Sequence, residues 1–149
     1  MKIFLDTNVF LNPLLAEKDC YDCLRVLDGW KRCGLVSEAV TSYLSMANIA
    51  YVLRKRTGKE KVAPTISNLF RYISSVTDST GVEYEYACVL RGPDFEDILQ
   101  YVNASLSGCD YIISCNKADF QKIADPDAVL GHQGPRILTP AEFISAFFE

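Results

Sequence analysis

Short apolar runs alternate along the chain with longer segments in which apolar residues recur every three or four positions. Runs at residues 3–5, 111–114 and 135–138 combine aliphatic and aromatic side chains, which favours strands buried in a sheet. Residues 35–41 fit a further short strand. The first run stops at a carboxylate, Asp6, and a buried charge costs free energy unless it is paired, hydrogen-bonded or bound to a metal.

Helical spacing covers much of the remaining chain. Predicted helices span residues 9–16, 21–33, 43–56, 59–76, 81–92, 93–108 and 139–148. Gly58 is a good stop for the third of these, and Asp94 lies near the start of the sixth. In the last helix, Thr139, Pro140 and Glu142 stand at the N-cap, first and third positions, which is the capping-box pattern.

Strands that alternate with helices indicate an α/β sandwich around a mostly parallel sheet, since parallel strands need long crossover connections. No repeat, low-complexity tract or linker rich in Pro and Gly divides the sequence, which predicts a single domain spanning residues 1–149. Open parallel sheets bind ligands at the carboxyl ends of their strands. Asp6 follows one such end, and Asn116 and Asp119 follow another, so we expect these residues to share an edge.

The composition is that of an ordinary globular protein, with 49% hydrophobic and 23% charged residues. No apolar run reaches the roughly 18 residues of a membrane span, and Asp6 interrupts the N-terminal apolar stretch that an export signal would need. We therefore expect a cytoplasmic protein without a membrane segment. Its six cysteines are then expected to be reduced, mostly buried thiols. Cys20, Cys23 and Leu24 fit one helix face better than a zinc or redox site.

Three acids fall where the fold brings strand ends and a helix start together: Asp6, Asp97 and Asp119. Convergent carboxylates repel one another and need a cation, and sites built from oxygen ligands favour Mg²⁺ or Mn²⁺. Such ions activate water and stabilise the oxygens of a phosphoryl group under attack. Each acid also has a structural alternative at the start of a helix. Asp119, for example, could cap a short helix that starts at Phe120.

Three stretches, FLDTNVF, DFEDILQYVNASLSGCDYIISCNKADF and ILTPAEF, resemble the PIN domain, and the resemblance spans nearly the whole chain. It implies a Rossmann-like three-layer α/β/α sandwich and a Mg²⁺- or Mn²⁺-dependent ribonuclease whose substrate is RNA. Asp6, Asp97 and Asp119 match the family's metal-binding acids. Asn116 matches the Asn of its N-x-x-D-F segment, where the family often has T-R-N and this chain has S-C-N. Many small bacterial members are VapC-like toxins, which implies an antitoxin partner and a homodimer.

The resemblance breaks at one position. PIN domains usually carry a glutamate in the helix after the second strand, and Asn48 occupies that place here, as in a PIN subgroup whose helix reads A-N-I. An amide offers a carbonyl oxygen and hydrogen bonds but no negative charge, which weakens metal binding. Glu38 could substitute for the missing acid, and Glu96 or Asp94 could add charge beside Asp97.

Two functions follow from this pattern. The first is a metal-dependent endoribonuclease in which Asn116 and Asn48 assist the three acids. The second is a catalytically weakened PIN module that binds RNA or a protein partner. A third interpretation is a phosphatase or phospho-acceptor domain with Asp6 after its first strand, and the phosphatase form is disfavoured because no second Asp stands two residues after Asp6.

A basic stretch, residues 54–61, carries five Lys and Arg side chains against one acid. It could grip RNA phosphates, or it could be the solvated end of a helix. His132 is the single histidine of the chain and lies in a loop flanked by glycines. We expect it to be exposed and to take no part in chemistry.

Overall fold

The computed structural model describes residues 1–78 and 80–149, in which five strands form one parallel sheet. The strands are β1 (Lys2–Leu5), β2 (Glu38–Ser42), β3 (Ser75–Thr77), β4 (Tyr111–Ile113) and β5 (Arg136–Leu138). Their order across the sheet is β3-β2-β1-β4-β5, and each neighbouring pair runs parallel. β1 therefore lies at the centre, and the chain adds strands first on one side of it and then on the other.

Helices cover both faces of this sheet. In chain order they are α1 (Thr7–Leu14), α2 (Cys20–Gly29), α3 (Tyr43–Thr57), α4 (Val62–Leu69), α5 (Val82–Val89), α6 (Phe95–Leu106), α7 (Lys117–Gln121), α8 (Pro126–Leu130) and α9 (Pro140–Phe147), with a 3-10 turn at Lys59–Lys61 before α4. Ile3 and Leu5 of β1 join one core with α1 to α4 and α9, whereas Phe4 joins another with α5 to α8. The predicted three-layer α/β/α sandwich is thus confirmed. Within the described part of the chain, no helix has both the length and the apolar character to cross a membrane.

Several predicted helix ends are confirmed. Asp94 is the N-cap of α6, and its carboxylate accepts a hydrogen bond from the backbone N–H of Asp97 at 3.1 Å. The capping box of α9 is complete: Thr139 accepts from the backbone N–H of Glu142, and Glu142 accepts from the backbone N–H of Thr139. Gly58 ends α3 with a φ of 95°, a conformation that favours glycine.

The helix predicted over residues 59–76 is wrong in its second half. α4 ends at Leu69, and residues 75–77 form β3, an edge strand that was not predicted. Ile73 continues the helical spacing and is buried, but it reaches the core from the connection into β3. Ser74 donates its backbone N–H to the carbonyl of Ala39, so pairing with β2 takes over where the helix stops.

Smaller differences concern the first helices and the thiols. α2 ends at Gly29, not at Cys33, and a Cβ at residue 29 would come within 2.6 Å of the Phe148 ring. The face predicted for Cys20, Cys23 and Leu24 is wrong in part, because Leu24 is 43% exposed. All six cysteines are free thiols. Two of them are buried, three are partly buried and one is exposed. Fewer thiols are therefore fully buried than predicted.

The sheet order creates a crevice at the carboxyl ends of β1 and β4. β2 pairs with one side of β1 and β4 pairs with the other side. The connections that follow β1 and β4 therefore run in opposite directions across the sheet, which leaves a crevice between the ends of these two strands. Doubly wound sheets bind ligands at such a switch point. Asp6 stands directly after β1, and its backbone N–H donates to the carbonyl of Ile113 at 3.0 Å. Residues 114–116 follow β4 at the same edge.

Candidate active site

Asp6 lies at the bottom of this crevice and is 5% exposed. It is the N-cap of α1, where its Oδ1 accepts the backbone N–H of Thr7 at 2.8 Å. Its Oδ2 accepts from the Ser114 hydroxyl at 2.7 Å and from the Asn8 side-chain amide at 3.1 Å. Burial raises the pKa of Asp6, while the hydrogen bonds from Ser114, Thr7 and Asn8 act in the opposite direction.

Ser114 and Asn8 tie the end of β4 to the start of α1. The fully buried Ser114 hydroxyl accepts the backbone N–H of Asn116 at 3.0 Å while it donates to Asp6. Asn8 accepts the backbone N–H of Cys115 through its Oδ1 at 3.0 Å. These contacts fix the Asp6 carboxylate between two strands whose polar ends meet.

A cleft of about 490 Å³ opens above Asp6. It is lined by acidic and amide side chains from the ends of β1 and β4 and from α1, α3 and α6. These side chains include Asp6, Asn8, Asn48, Glu96, Asp97 and Asn116. Four of the five residues predicted for the site therefore share one cleft, although they come from distant parts of the sequence.

Asp97 lies on the first turn of α6 and is partly buried. Its pKa is raised to about 7, chiefly by burial and then by the neighbouring carboxylates of Asp94, Asp6, Asp119 and Glu96. The acids are thus close enough to repel one another. A cation in the cleft would relieve that repulsion.

Asn48 reaches the cleft from α3 and donates a short side-chain hydrogen bond to the carboxylate of Glu96. Both residues line the cleft. A carboxylate from α6 is therefore held against the residue that stands at the family's glutamate position. Glu38 cannot take that role, because it opens β2 at the opposite end of the sheet and pairs with Lys2 at 3.6 Å.

Asp119 lies beside the cleft and outside its lining. It is within α7, so it does not cap a helix starting at Phe120, and its carboxylate pairs with Lys122 at 3.3 Å. It still contributes to the raised pKa of Asp97. Lys117, which precedes it, is held away by Glu142 at 2.8 Å.

A buried polar network supports the cleft from below. The Gln100 side chain accepts from the Ser42 hydroxyl and donates to the Ser45 hydroxyl, both at 2.5 Å. Thr7 donates its hydroxyl to Ser45 at 3.0 Å, and Ser42 caps α3 by accepting the backbone N–H of Ser45. Since α1, α3 and α6 each contribute to this network, it sets the relative positions of the helices that carry Asn48 and Asp97.

The rim of the cleft combines an exposed aromatic ring with positive charge. Tyr51 is 59% exposed, and the Lys55 ammonium lies 4.8 Å from the centre of its ring. Arg56 lines the same cleft and pairs with Glu17 at 3.5 Å. The predicted basic stretch, residues 54–61, therefore contributes Arg56 to the lining of the cleft and Lys55 to its rim.

The donor set fits a hard divalent cation in chemistry, since it consists of carboxylate and amide oxygens. Asp6 and Asp97 are the acids that line the cleft at the positions predicted for metal ligands. Among residues 1–78 and 80–149, however, no three Asp, Glu, His or Cys side chains form a group arranged to hold a metal ion. The oxygen atoms line the same cleft, but they are not arranged around one common metal position.

A family model described as the PIN domain matches residues 2–118, more than three quarters of the chain. The chain belongs to the PIN domain family. This assignment covers β1 to β4 and the beginning of α7, and therefore every residue lining the cleft. No curated protein matches the chain.

Solved structures share the PIN fold at low sequence identity. VapBC2 from Rickettsia felis, bound to a DNA fragment from its promoter, matches with a TM-score of 0.63 and 15% identity over 93% of this chain and 98% of that chain. DNA-bound VapBC from Salmonella typhimurium matches with a TM-score of 0.59 and 15% identity, over 94% and 98%. VapC20 from Mycobacterium tuberculosis, a toxin that cleaves the sarcin–ricin loop, matches with a TM-score of 0.55 and 14% identity, over 74% and 86%.

Sequence reasoning missed four polar residues that organise the site: Thr7, Asn8, Gln100 and Ser114. Two signals were available. Asn8 stands two positions after Asp6, and Gln100 is a polar residue on the apolar face of α6, three positions after Asp97. Ser114 stands in the S-C-N stretch that corresponds to the family's T-R-N, but its contact with Asp6 depends on the register in which β4 pairs with β1.

Proposed function

We propose that the protein is a metal-dependent endoribonuclease that hydrolyses RNA phosphodiester bonds and acts as the toxin of a toxin–antitoxin pair. One observation carries the proposal: the carboxylates of Asp6, Glu96 and Asp97 and the amides of Asn48 and Asn116 line one cleft at the switch point of the sheet. Membership of the PIN domain family supports a nuclease. The matched toxin that cleaves the sarcin–ricin loop supports RNA as the substrate.

Each polar group has a role in this proposal. Asp6 and Asp97 hold Mg²⁺ or Mn²⁺, and Asp119 joins them from α7. A bound ion of this kind supplies activation of water and stabilisation of the charge on the phosphate oxygens. Asn116 and Asn48 assist by hydrogen bonds to the scissile phosphate or to the ion's water. Ser114 and Asn8 keep the Asp6 carboxylate oriented while it binds.

Glu96 supplies the negative charge that Asn48 lacks. The charge lost when an amide stands at the glutamate position is present again in the same part of the cleft, because Asn48 donates to Glu96. Glu96 thus adds a carboxylate beside Asp6 and Asp97 in the lining of the cleft. We propose that Glu96 acts with Asp97 on the metal.

The rim provides a binding surface for RNA. An exposed Tyr51 can stack on a base, a contact worth about 1–3 kcal/mol per base in single-stranded nucleic acid complexes. Lys55 and Arg56 follow Tyr51 by about one helical turn on α3, where they can pair with phosphates. A net charge of −4 for the whole chain makes such a local basic rim necessary for RNA to approach.

Partners follow from the matched complexes. VapBC2 and VapBC support an antitoxin protein as the partner of this chain. The homodimer remains a prediction, which the sedimentation velocity of the purified protein tests directly. A mass of twice 16.7 kDa is expected.

The test is cleavage of a panel of structured RNAs by purified protein with Mn²⁺, Mg²⁺ or EDTA, beside Asp6→Asn. We expect cleavage that requires the metal and falls at least 100-fold in Asp6→Asn, because the variant loses the charge at the bottom of the cleft. Asp22→Asn, an acid on α2 outside the cleft, is the matched control and should cleave like the native protein. Cleavage that persists in EDTA or in Asp6→Asn would refute the proposal.

The second candidate function is a binding module for RNA or a protein. It is favoured by the absence, among the described residues, of a group of three side chains arranged for a metal ion. It predicts RNA binding without cleavage. Folded protein that binds the panel, shows no cleavage with either metal and keeps its affinity in Asp6→Asn would select this function over the first.

A further inference from the structure

Two thiols meet next to the cleft. Cys23 on α2 and Cys115, two residues after the end of β4, have their sulfur atoms 3.4 Å apart, although they are 92 positions apart in sequence. Cys23 is fully buried and Cys115 is partly exposed. A disulfide bond is about 2.05 Å long, so an approach of only about 1.4 Å would join them.

The two thiols are not equivalent. Either thiol can be the hydrogen-bond donor in this contact. Cys115 is partly exposed whereas Cys23 is fully buried, so Cys115 is the thiol that an oxidant in solution can reach. The thiolate of Cys115 is therefore the expected nucleophile in thiol oxidation, and the contact with Cys23 lowers the pKa of Cys115.

We propose that Cys23 and Cys115 form an oxidation site that a peroxide converts into an intramolecular disulfide. The Cys115 thiolate attacks one peroxide oxygen, which breaks the O–O bond and leaves Cys115 as a sulfenic acid while the other oxygen departs as water. The Cys23 sulfur then attacks the Cys115 sulfur, the S–O bond breaks and a second water leaves. In total the two thiols lose two protons and two electrons, which reduce hydrogen peroxide to two waters.

The disulfide would reach the cleft through Asn8. The backbone N–H of Cys115 donates to Asn8, whose side-chain amide donates to Asp6. Cys115 is also flanked by Ser114, the other side chain that donates to Asp6. Drawing Cys115 towards α2 loosens both side chains that donate to the Asp6 carboxylate. This consequence rests on the proposed function, whereas the disulfide itself does not.

The experiment treats the reduced full-length protein with hydrogen peroxide, blocks the remaining thiols with iodoacetamide and maps the peptides by mass spectrometry without reduction. We expect a cross-linked peptide joining Cys23 and Cys115, an intact mass lower by two hydrogens, and reversal by dithiothreitol. Tryptic peptides carry Cys20 with Cys23 and Cys109 with Cys115, so fragment spectra must show the alkyl groups on Cys20 and Cys109. Peptides joined through other thiols, or no cross-link, would overturn the proposal.

Variants sharpen the assignment. Cys23→Ser and Cys115→Ser should each abolish the cross-link, and in Cys23→Ser the sulfenic acid on Cys115 should be trapped by dimedone. Cys88→Ser removes the exposed thiol on α5 and is the matched control, in which the cross-link should form as in the native protein. A cross-link yield that falls with Cys88→Ser as much as with Cys115→Ser would contradict the site.

A second readout measures Mn²⁺ affinity by calorimetry for the reduced and the oxidised protein. Removing groups that orient a metal ligand typically costs 10–100-fold in affinity, so we expect oxidation to weaken binding about 10-fold. Equal affinity in both forms would overturn the link to the cleft. Absence of Mn²⁺ binding in the reduced protein would count against the proposed function, and peptide mapping would still decide the disulfide.

Discussion

Asp6 serves two structural elements with its two carboxylate oxygens. Oδ1 caps α1 through Thr7, and Oδ2 accepts from Ser114 and Asn8. The cap, which is one of the two alternatives that the sequence leaves open for this residue, is confirmed, and the metal ligand stays a prediction. A carboxylate that is 5% exposed and accepts three hydrogen bonds is held in one orientation, which favours a precise position for any group it binds.

Asn48 and Glu96 provide the sharpest prediction at this scale. Asn48→Glu places a second carboxylate where the amide now donates to Glu96. In EDTA we expect destabilisation of about 1 kcal/mol from like-charge repulsion, which lowers the Tm by about 2–4 °C. In Mn²⁺ we expect binding about 10-fold tighter, measured by calorimetry, because the added charge faces the cation.

Two further variants serve as controls for this prediction. Asn48→Gln keeps the amide and should change neither the Tm in EDTA nor the Mn²⁺ affinity by more than a small amount. The double variant Asn48→Glu with Glu96→Gln moves the carboxylate from α6 to α3 and should return both quantities to near the native values. Tighter Mn²⁺ binding without any loss of Tm would show that residues 48 and 96 do not face each other.

At the scale of elements, Glu142 stabilises the start of α9 through its contacts with Thr139 and Lys117. Glu142 completes the capping box with Thr139 and accepts both hydrogen bonds of the Lys117 ammonium, at 2.8 and 2.9 Å. Lys117 belongs to α7, directly after the polar residues that follow β4. Glu142 therefore joins the last helix to the edge of the candidate site.

The pH dependence of unfolding tests this anchor. The Lys117 ammonium and the Thr139 backbone N–H hold the pKa of Glu142 below its ordinary value of 4.5. An acid with a lowered pKa in the folded state stabilises the fold above its unfolded pKa, and this contribution disappears as the pH falls. Because Glu142 is 45% exposed and its ion pair is screened by solvent, we expect Glu142→Gln to lower stability by less than about 1 kcal/mol at pH 7 and to converge with the native protein as the pH falls through the lowered pKa of Glu142. Urea unfolding across this range measures it.

Glu85→Gln, an exposed acid on α5, is the matched control and should leave stability nearly unchanged at every pH. A constant difference between Glu142→Gln and the native protein from pH 7 to pH 3 would mean that the charge of Glu142 is not what stabilises α9.

The elements also show what sequence patterns can and cannot predict. Four of the strands and the capping box follow from local patterns of apolar and end-capping residues. β3 does not, because Ile73 continues the spacing of Val62, Ile66 and Leu69 and is buried in the same core. Burial alone cannot separate a helix from the connection into a strand. Pairing with β2 decides the matter, and that pairing is a tertiary interaction.

At the scale of the whole molecule, the cleft gathers negative charge in a chain that is already acidic. Asp6 could be placed there from sequence because the ends of parallel strands share an edge, and Asp97 could be placed there from the resemblance to the PIN domain. The sequence names Glu96 only as one of two acids that could add charge beside Asp97, since spacing on the first turn of α6 does not decide which side chain faces Asn48. The cleft is assembled at a cost in stability that a bound cation would offset.

The metal-free protein should reveal this cost. The pKa of Asp97 is raised to about 7, so the folded protein binds a proton more readily than the unfolded chain between about pH 4 and pH 7. Stability in EDTA should therefore rise as the pH falls from 8 towards 5. We expect Asp97→Asn to be more stable than the native protein at pH 8, with the difference shrinking at pH 5. Thermal unfolding at each pH measures both.

The same thermal unfolding is also measured with Mn²⁺ in place of EDTA. Added at pH 8, it should raise the Tm of the native protein and have little effect on Asp97→Asn, since a ligand stabilises only the state it binds. If Asp97→Asn were less stable than the native protein at pH 8 in EDTA, repulsion among the carboxylates would not be the dominant effect of Asp97 on the fold.

The contact between Asp6 and Ser114 spans 108 residues of sequence, and this separation has a consequence in time. During translation at about 5–20 residues per second, roughly 5–20 s pass between the synthesis of Asp6 and that of Ser114. β1 has no β4 to pair with during that interval, and the crevice between them does not exist. If the proposed function holds, a nascent chain shorter than 114 residues has no cleft in which to bind RNA.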